Sequence, residues 1–144
     1  MIALDTNVLV YAHREDSPHH ERARTAVEEL AASGRRFGLP WPCVHEFLAV
    51  STHPRIYDPP SPTALAMQAM RELCSLPSAT LLSEAPDHLT RLSGLLDASD
   101  ARGPKVHDAR IAAICLSHGV SELWTADRDF SYFPALSTRN PLIL

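Results

Sequence analysis

Four short apolar runs, interleaved with segments of helical spacing, constrain this chain more than any other feature. Ile2-Ala3-Leu4, Phe37-Gly38-Leu39, Thr80-Leu81-Leu82 and Glu122-Leu123-Trp124-Thr125 are each too short for a helix. Between them, apolar residues recur at helical spacing, so hairpins cannot join the strands. They must pair largely in parallel through helical crossovers, which predicts an α/β fold with a mostly parallel sheet. A length of 144 residues suits one compact domain, 1–144.

The punctuation sets the expected helix limits. Thr6 is placed to cap a helix from Asn7 to Arg14. Ser17-Pro18 reads as an N-cap followed by a first-turn proline, opening a helix with Ala23, Val27, Leu30 and Ala31 that ends at Gly34. Pro42 opens another, which must stop before Pro54. Residues 57–62 form a proline-rich connector, and Ser61-Pro62 repeats the cap-and-proline device ahead of a helix to Leu76. Further helices are expected over 87–97 and 106–118, the last ended by Gly119, and Pro141 to Leu144 as a final strand.

Charge narrows the function. Against 17 acids stand 13 bases, a formal net charge of −4. No bulk basic field is available to hold nucleic acid, so a polyanion partner would need local arginines or a metal. All the bases are arginine except Lys105. Cys43, Cys74 and Cys115 are an odd number in apolar surroundings with no CxxC pair, and read as buried thiols of a reducing, cytoplasmic compartment. Asp5 and Asn7 interrupt the N-terminal apolar run, so neither a signal peptide nor a membrane span is expected.

Four acids sit where a solvated charge is hard to arrange. Asp5 and Asp127 follow the first and fourth strands, at the carboxyl ends where open α/β sheets place their ligand crevice, and should be near neighbours. Glu46 has Cys43, Ala49 and Val50 three and four positions away, and Asp108 lies beside Ile111 and Ala112, so both carboxylates are expected to emerge from apolar stripes. Clustered carboxylates repel one another unless a cation neutralises them, and an oxygen-only ligand set suits Mg²⁺ or Mn²⁺. Taken singly, Asp5 and Asp127 also suit helix caps, and Glu46 suits a buried arginine partner.

LDTNVLVYA at the start, Glu46 within HEFLAVSTHPRIY, HDARIAA around Asp108 and LWTADRDF around Asp127 together resemble the PIN-domain family, and within it the VapC-type toxin ribonucleases. The resemblance runs in order along nearly the whole chain. It implies a three-layer sandwich, with a central parallel sheet between helices, and an acidic cleft holding one or two Mg²⁺ or Mn²⁺ ions. Residue by residue, Asp5, Glu46, Asp108 and Asp127 fall on the family's acidic quartet, catalytic and metal-binding. Thr6, Asn7 and Thr125 fall on its orienting polar positions. Asp129 is either an additional outer acid or a local turn former. The implied activity is endonucleolytic RNA hydrolysis by metal-activated water, leaving 5′-phosphate and 3′-hydroxyl ends. The implied partners are a VapB-type antitoxin that blocks the acids with a basic residue and a second copy of the chain, with helices bearing exposed Leu or Met, such as the first, as candidate dimer surfaces.

Arg102 and Lys105, in the loop before Asp108, are candidate RNA phosphate contacts; Arg35-Arg36 read as a basic helix end. His13, His19 and His20 read as solvated, and His107 as a neutral first-turn residue. Trp41, Trp124, Met67 and Met70 read as core or interface. A zinc-protease HExxH fails because Ala49 stands at the second histidine position. A haloacid-dehalogenase-like phosphatase would need Asp where the chain has Asn7, and no adjacent acid pair at the end of the first strand supports a receiver module. A non-catalytic RNA-binding or scaffold version of the same fold is the remaining alternative, and the intact quartet argues against it.

Overall fold

The computed structural model describes residues 1–143. Its five strands, β1 (Ile2–Leu4), β2 (Phe37–Pro40), β3 (Ala79–Leu82), β4 (Glu122–Trp124) and β5 (Thr138–Arg139), form one sheet in the order β3-β2-β1-β4-β5. Every pairing is parallel, with Ile2 opposite both Phe37 and Glu122. β1 lies at the centre, and all three of its residues are buried. The helices are α1 (Thr6–His13), α2 (His20–Ala32), α3 (Trp41–Ser51), α4 (Thr63–Cys74), α5 (His88–Ser99) and α6 (Lys105–Ser117).

From β1 the chain steps outward to β2 and β3, then returns across β1 to β4. Right-handed crossovers in opposite directions put their helices on opposite faces. The packing divides accordingly: α1 against α2 and α3, α3 against α4, and α5 against α6. The core lies on both faces of the sheet, with Phe37, Leu39, Phe47, Leu4, Ile114 and Leu123 fully buried. Gly38 keeps β2 close to its neighbour, since a Cβ there would come within 2.6 Å of Leu82 Cδ1.

Several expected boundaries shift, and local hydrogen bonds explain each shift. α1 starts at Thr6 because Asp5, not Thr6, is the cap: Asp5 Oδ1 accepts the Thr6 N–H at 2.8 Å. Ser17-Pro18 does not open α2. Ser17 Oγ accepts the His19 N–H at 3.1 Å, closing a turn ahead of a helix that begins at His20. Ser61 does not cap α4 either; its buried hydroxyl bonds to His13 Nε2 and Arg14. Lys105 is the first residue of α6 rather than part of the preceding loop. The last strand is Thr138–Arg139, not 141–144: Leu123 and Thr125 donate to the carbonyls of Ser137 and Arg139, and Asn140 then turns the chain by accepting the Leu142 N–H. Leu144, part of the expected strand, lies outside the described residues.

α6 ends as expected at Gly119, whose φ of +68° allows Val120 N–H to reach back to the Cys115 carbonyl. Cys43 and Cys115 are buried, but Cys74, the last residue of α4, is only half-buried. His13 is not solvated, since its ring packs edge-on to Phe47 at 5.3 Å; His20 is half-buried on the Tyr11 carbonyl, and His19 is exposed. Trp124 and Met70 are buried, whereas Trp41 is exposed beside His45. α1 buries Val8, Leu9 and Val10 and so offers no exposed leucine; among the described residues the exposed ones are Leu65 on α4, Leu81 on β3 and Leu89 on α5. Among the described residues no helix is long and apolar enough to cross a membrane.

Candidate active site

The return of the chain across β1 creates a switch point between β1 and β4, where the two connections leave in opposite directions and open a crevice at the carboxyl ends of the strands. Asp5 and Asp127 issue from those two ends. The Asp5 N–H extends the β1–β4 ladder to the Trp124 carbonyl at 3.0 Å. Glu46 reaches the crevice from α3 and Asp108 from the first turn of α6. All four line one pocket of about 260 Å³, together with Thr6, Asn7 and the apolar Val10 and Ile111.

Asp5 is the anchored member, at 4% exposure. Oδ1 accepts from the Thr6 N–H and, at 3.5 Å, from the Cys43 thiol. Oδ2 accepts from the Thr125 hydroxyl at 2.7 Å and from Asn7 Nδ2 at 3.2 Å. A carboxylate bound this way has little freedom to reorient. The same two side chains also hold the backbone leading to Asp127: Thr125 Oγ1 accepts the Asp127 N–H at 2.9 Å, and Asn7 Oδ1 accepts the Ala126 N–H at 3.0 Å. The Thr6 hydroxyl donates to Glu46 Oε2 at 3.1 Å. Thr6, Asn7 and Thr125 therefore tie three of the four acids to the carboxyl ends of β1 and β4.

Glu46 is exposed, not embedded in an apolar stripe. The spacing of α3 positions Cys43 in the core correctly, but Ala49 is exposed and the crevice opens above the helix. Its partner is a threonine rather than an arginine. Asp127, besides facing the pocket, accepts the Asp129 N–H at 2.8 Å and so caps the 3-10 turn Arg128–Tyr132. The cap and pocket placements of Asp5 and Asp127 thus coexist.

The electrostatics follow from burial and crowding. Burial raises the Asp5 pKa, opposed by the bonds from Thr125, Thr6 and Cys43 and reinforced by Glu46. Asp108 is pushed up to about 6, first by burial and then by Asp127, Asp5, Asp129 and Glu46. Burial, with Asp5 adding to it, also raises the Cys43 thiol well above its usual range. One carboxylate oxygen each from Asp108, Asp127 and Asp129 lie within 4.8 Å of one another. Asp129, and not Asp5 or Glu46, completes that trio. Hard, crowded and incompletely neutralised oxygens are the donor set a divalent cation of the Mg²⁺ or Mn²⁺ type fits.

A second pocket of about 770 Å³ shares Glu46, Asp108 and Ile111 with the first and adds Arg102, Lys105, His107 and Arg110. Arg102 is exposed, while Arg110 is engaged by Glu84, with Nε 2.6 Å from Oε1. Lys105 Nζ lies 3.2 Å from Asp129 Oδ1 and 4.1 Å from the centre of the Tyr132 ring. The Cys43–Asp5 and Lys105–Asp129 contacts were not anticipated from sequence. The only available signal was the three-residue helical offset of Cys43 from Glu46 and of Lys105 from Asp108.

The PIN domain family matches residues 2–136 of the chain. Ribonuclease VapC43 of Mycobacterium tuberculosis is 36% identical over 142 residues, covering 99% of this chain and 96% of that protein. Ribonuclease VapC48 of the same organism is 32% identical over 137 residues, covering 95% and 94%. Among solved structures, a toxin-antitoxin complex from Klebsiella pneumoniae contains a chain with the same fold, at a TM-score of 0.62 and 19% identity, covering 98% of each chain.

Proposed function

The chain belongs to the PIN domain family, and on that premise we propose that it is a divalent-cation-dependent endoribonuclease, the toxin of a toxin-antitoxin pair, carried by a single domain over 1–144. The observation that carries this reading is the convergence of Asp5, Glu46, Asp108 and Asp127, from four distant segments, on one pocket at the sheet's switch point. The ribonuclease names of the relatives and the toxin-antitoxin title of the structural neighbour support it.

In this reading the cation is held among Asp5, Glu46, Asp108 and Asp127, with Asp129 a further ligand beside Asp108 and Asp127. A bound Mg²⁺ or Mn²⁺ supplies Lewis-acid polarisation of the phosphodiester and acidifies water. The chain's own residues supply position. Thr6, Asn7 and Thr125 hold the acids at fixed spacing, so that a water and a phosphate can be aligned without reorganisation. Attack in line on phosphorus forms the new P–O bond as the bond to the 3′ oxygen breaks. The water's proton passes to the carboxylate cluster, and the departing oxygen takes one up, giving 5′-phosphate and 3′-hydroxyl ends. Arg102 and Lys105, lining the adjoining larger pocket, are the phosphate contacts.

An antitoxin would block such a site most directly with an arginine, whose planar fork matches paired carboxylates. Self-association as a homodimer and a cytoplasmic location belong to the same reading; the three free thiols favour a reducing compartment. The test is cleavage of total RNA by the purified chain with and without Mn²⁺ or Mg²⁺, beside Asp5→Asn. Metal-dependent cutting lost in Asp5→Asn is expected. No cutting with any metal, from folded protein free of antitoxin, moves the assignment to a non-catalytic RNA-binding domain.

A further inference from the structure

Lys105, the chain's single lysine, is electrostatically misplaced in the helix it opens. As the first residue of α6 it adds a cation at the positive end of the helix dipole, where an anion is favoured. What holds it lies on another segment: the Asp129 carboxylate and the Tyr132 ring, both in the 3-10 turn after β4. Asp129 also belongs to the trio of carboxylates whose oxygens converge within 4.8 Å. The ammonium therefore takes up a carboxylate that a divalent cation would need. Both side chains are open to water, 31% and 51% exposed, and exposed ion pairs of this kind are weak and readily exchanged.

We propose that Lys105 is the resident counter-ion of the acidic trio: a divalent cation bound by Asp108, Asp127 and Asp129 displaces its ammonium from Asp129, and the freed ammonium becomes a phosphate contact for the bound strand. The inference rests on the reading above, that the trio takes a divalent cation and the substrate is RNA. A cation among the acids removes the attraction that holds Lys105 and repels it. Its flexible stem and three rotatable donors let it turn into the larger pocket it already lines with Arg102 and His107. Cation loading and phosphate binding then favour each other, and by linkage the coupling is reciprocal.

Mn²⁺ binding to the full chain, followed by electron paramagnetic resonance, tests this without reference to cleavage. Lys105→Met is expected to bind Mn²⁺ about 5-fold more tightly than the parent, at the low end of the usual range for coupled sites. Lys105→Arg, which retains the charge, is expected to match the parent. In an Asp129→Asn background, Lys105→Met is expected to change nothing. In an Asp5→Asn background that keeps RNA intact, Mn²⁺ is expected to tighten binding of a labelled single-stranded RNA, with the gain lost on adding Lys105→Met. Equal or weaker Mn²⁺ affinity in Lys105→Met, or an undiminished effect in Asp129→Asn, overturns the counter-ion role alone. Absence of Mn²⁺ binding to the parent overturns it together with the cation reading. Tighter Mn²⁺ binding in Lys105→Met without RNA cleavage by the parent supports the counter-ion role and removes only the nuclease.

Discussion

Asp108→Asn is expected to stabilise the cation-free protein, although it removes a proposed ligand. The rise of the Asp108 pKa from 3.8 to about 6 corresponds to about 3 kcal/mol at full strength. Asp108 is only partly buried, and solvent screening brings the usable figure down to about 1–1.5 kcal/mol. For a chain of this size that is a rise in Tm of roughly 3–5 °C. The sign follows from proton binding: the folded state keeps a proton on Asp108 that the unfolded state has released, so the ionised carboxylate destabilises the fold fully above pH 6. The penalty shrinks as pH falls below 6 and is gone only well below the unfolded value of 3.8, where both states are protonated. Calorimetric melts in chelator at pH 8 and pH 4 should therefore show a variant that melts higher at pH 8 and much closer to the parent at pH 4. A neutral or destabilising effect at pH 8, or a gain of equal size at both values, would refute the crowding of charge from which the number was worked.

Thr125→Val keeps the shape of a buried side chain but leaves Asp5 Oδ2 without its shortest bond and the Asp127 N–H without an acceptor. Urea unfolding should show a loss of about 2 kcal/mol; a change below about 0.5 kcal/mol would mean that water replaces the hydroxyl. The thiols give an independent check on burial. Cys43 is raised well above its usual range and Cys115 to about 12, both first by burial, and Cys74 is raised by the same cause. Since the thiolate is the nucleophile, a disulfide reagent at pH 8 should label Cys74 slowly and first, with Cys43 and Cys115 reacting only on unfolding. Rapid labelling of all three in the native protein would contradict the packing of α3 and α6.

The acids were legible in the sequence because each interrupts a regular pattern: Asp5 and Asp127 end apolar strands, and Glu46 and Asp108 break helical stripes. Strand order decided their meeting, because β4 pairs directly with β1. What could not be read was the surroundings of each acid. The periodicity of α3 describes α3 alone, so it placed Cys43 inside correctly and gave no sign that the crevice beside α1 and α6 leaves Glu46 exposed. The helix starts failed for a related reason. Asp5 and Thr6 are both capping residues, and Ser17 and Ser61 have hydroxyls that local turns or distant side chains claim before a helix can use them. Lys105 was read as a loop cation because its partner, Asp129, is remote in sequence and joined to it only once β4 lies against β1.

The central position of β1 also has a consequence in time. β1 is made before the other strands of this sheet and is an internal one with a partner on each side, and its β4 partner is residues 122–124. A growing chain can lay β2 and β3 beside β1 and raise α1 to α5 around them, yet it holds an open inner edge until β4 emerges from the ribosome. Asp127 follows β4 directly, and Thr125, which positions both Asp5 and Asp127, sits between them. Every earlier length of the polypeptide therefore lacks the pocket. For a chain read as harmful when free, the topology itself withholds the pocket until residues 122–127 have been made and β4 has paired with β1.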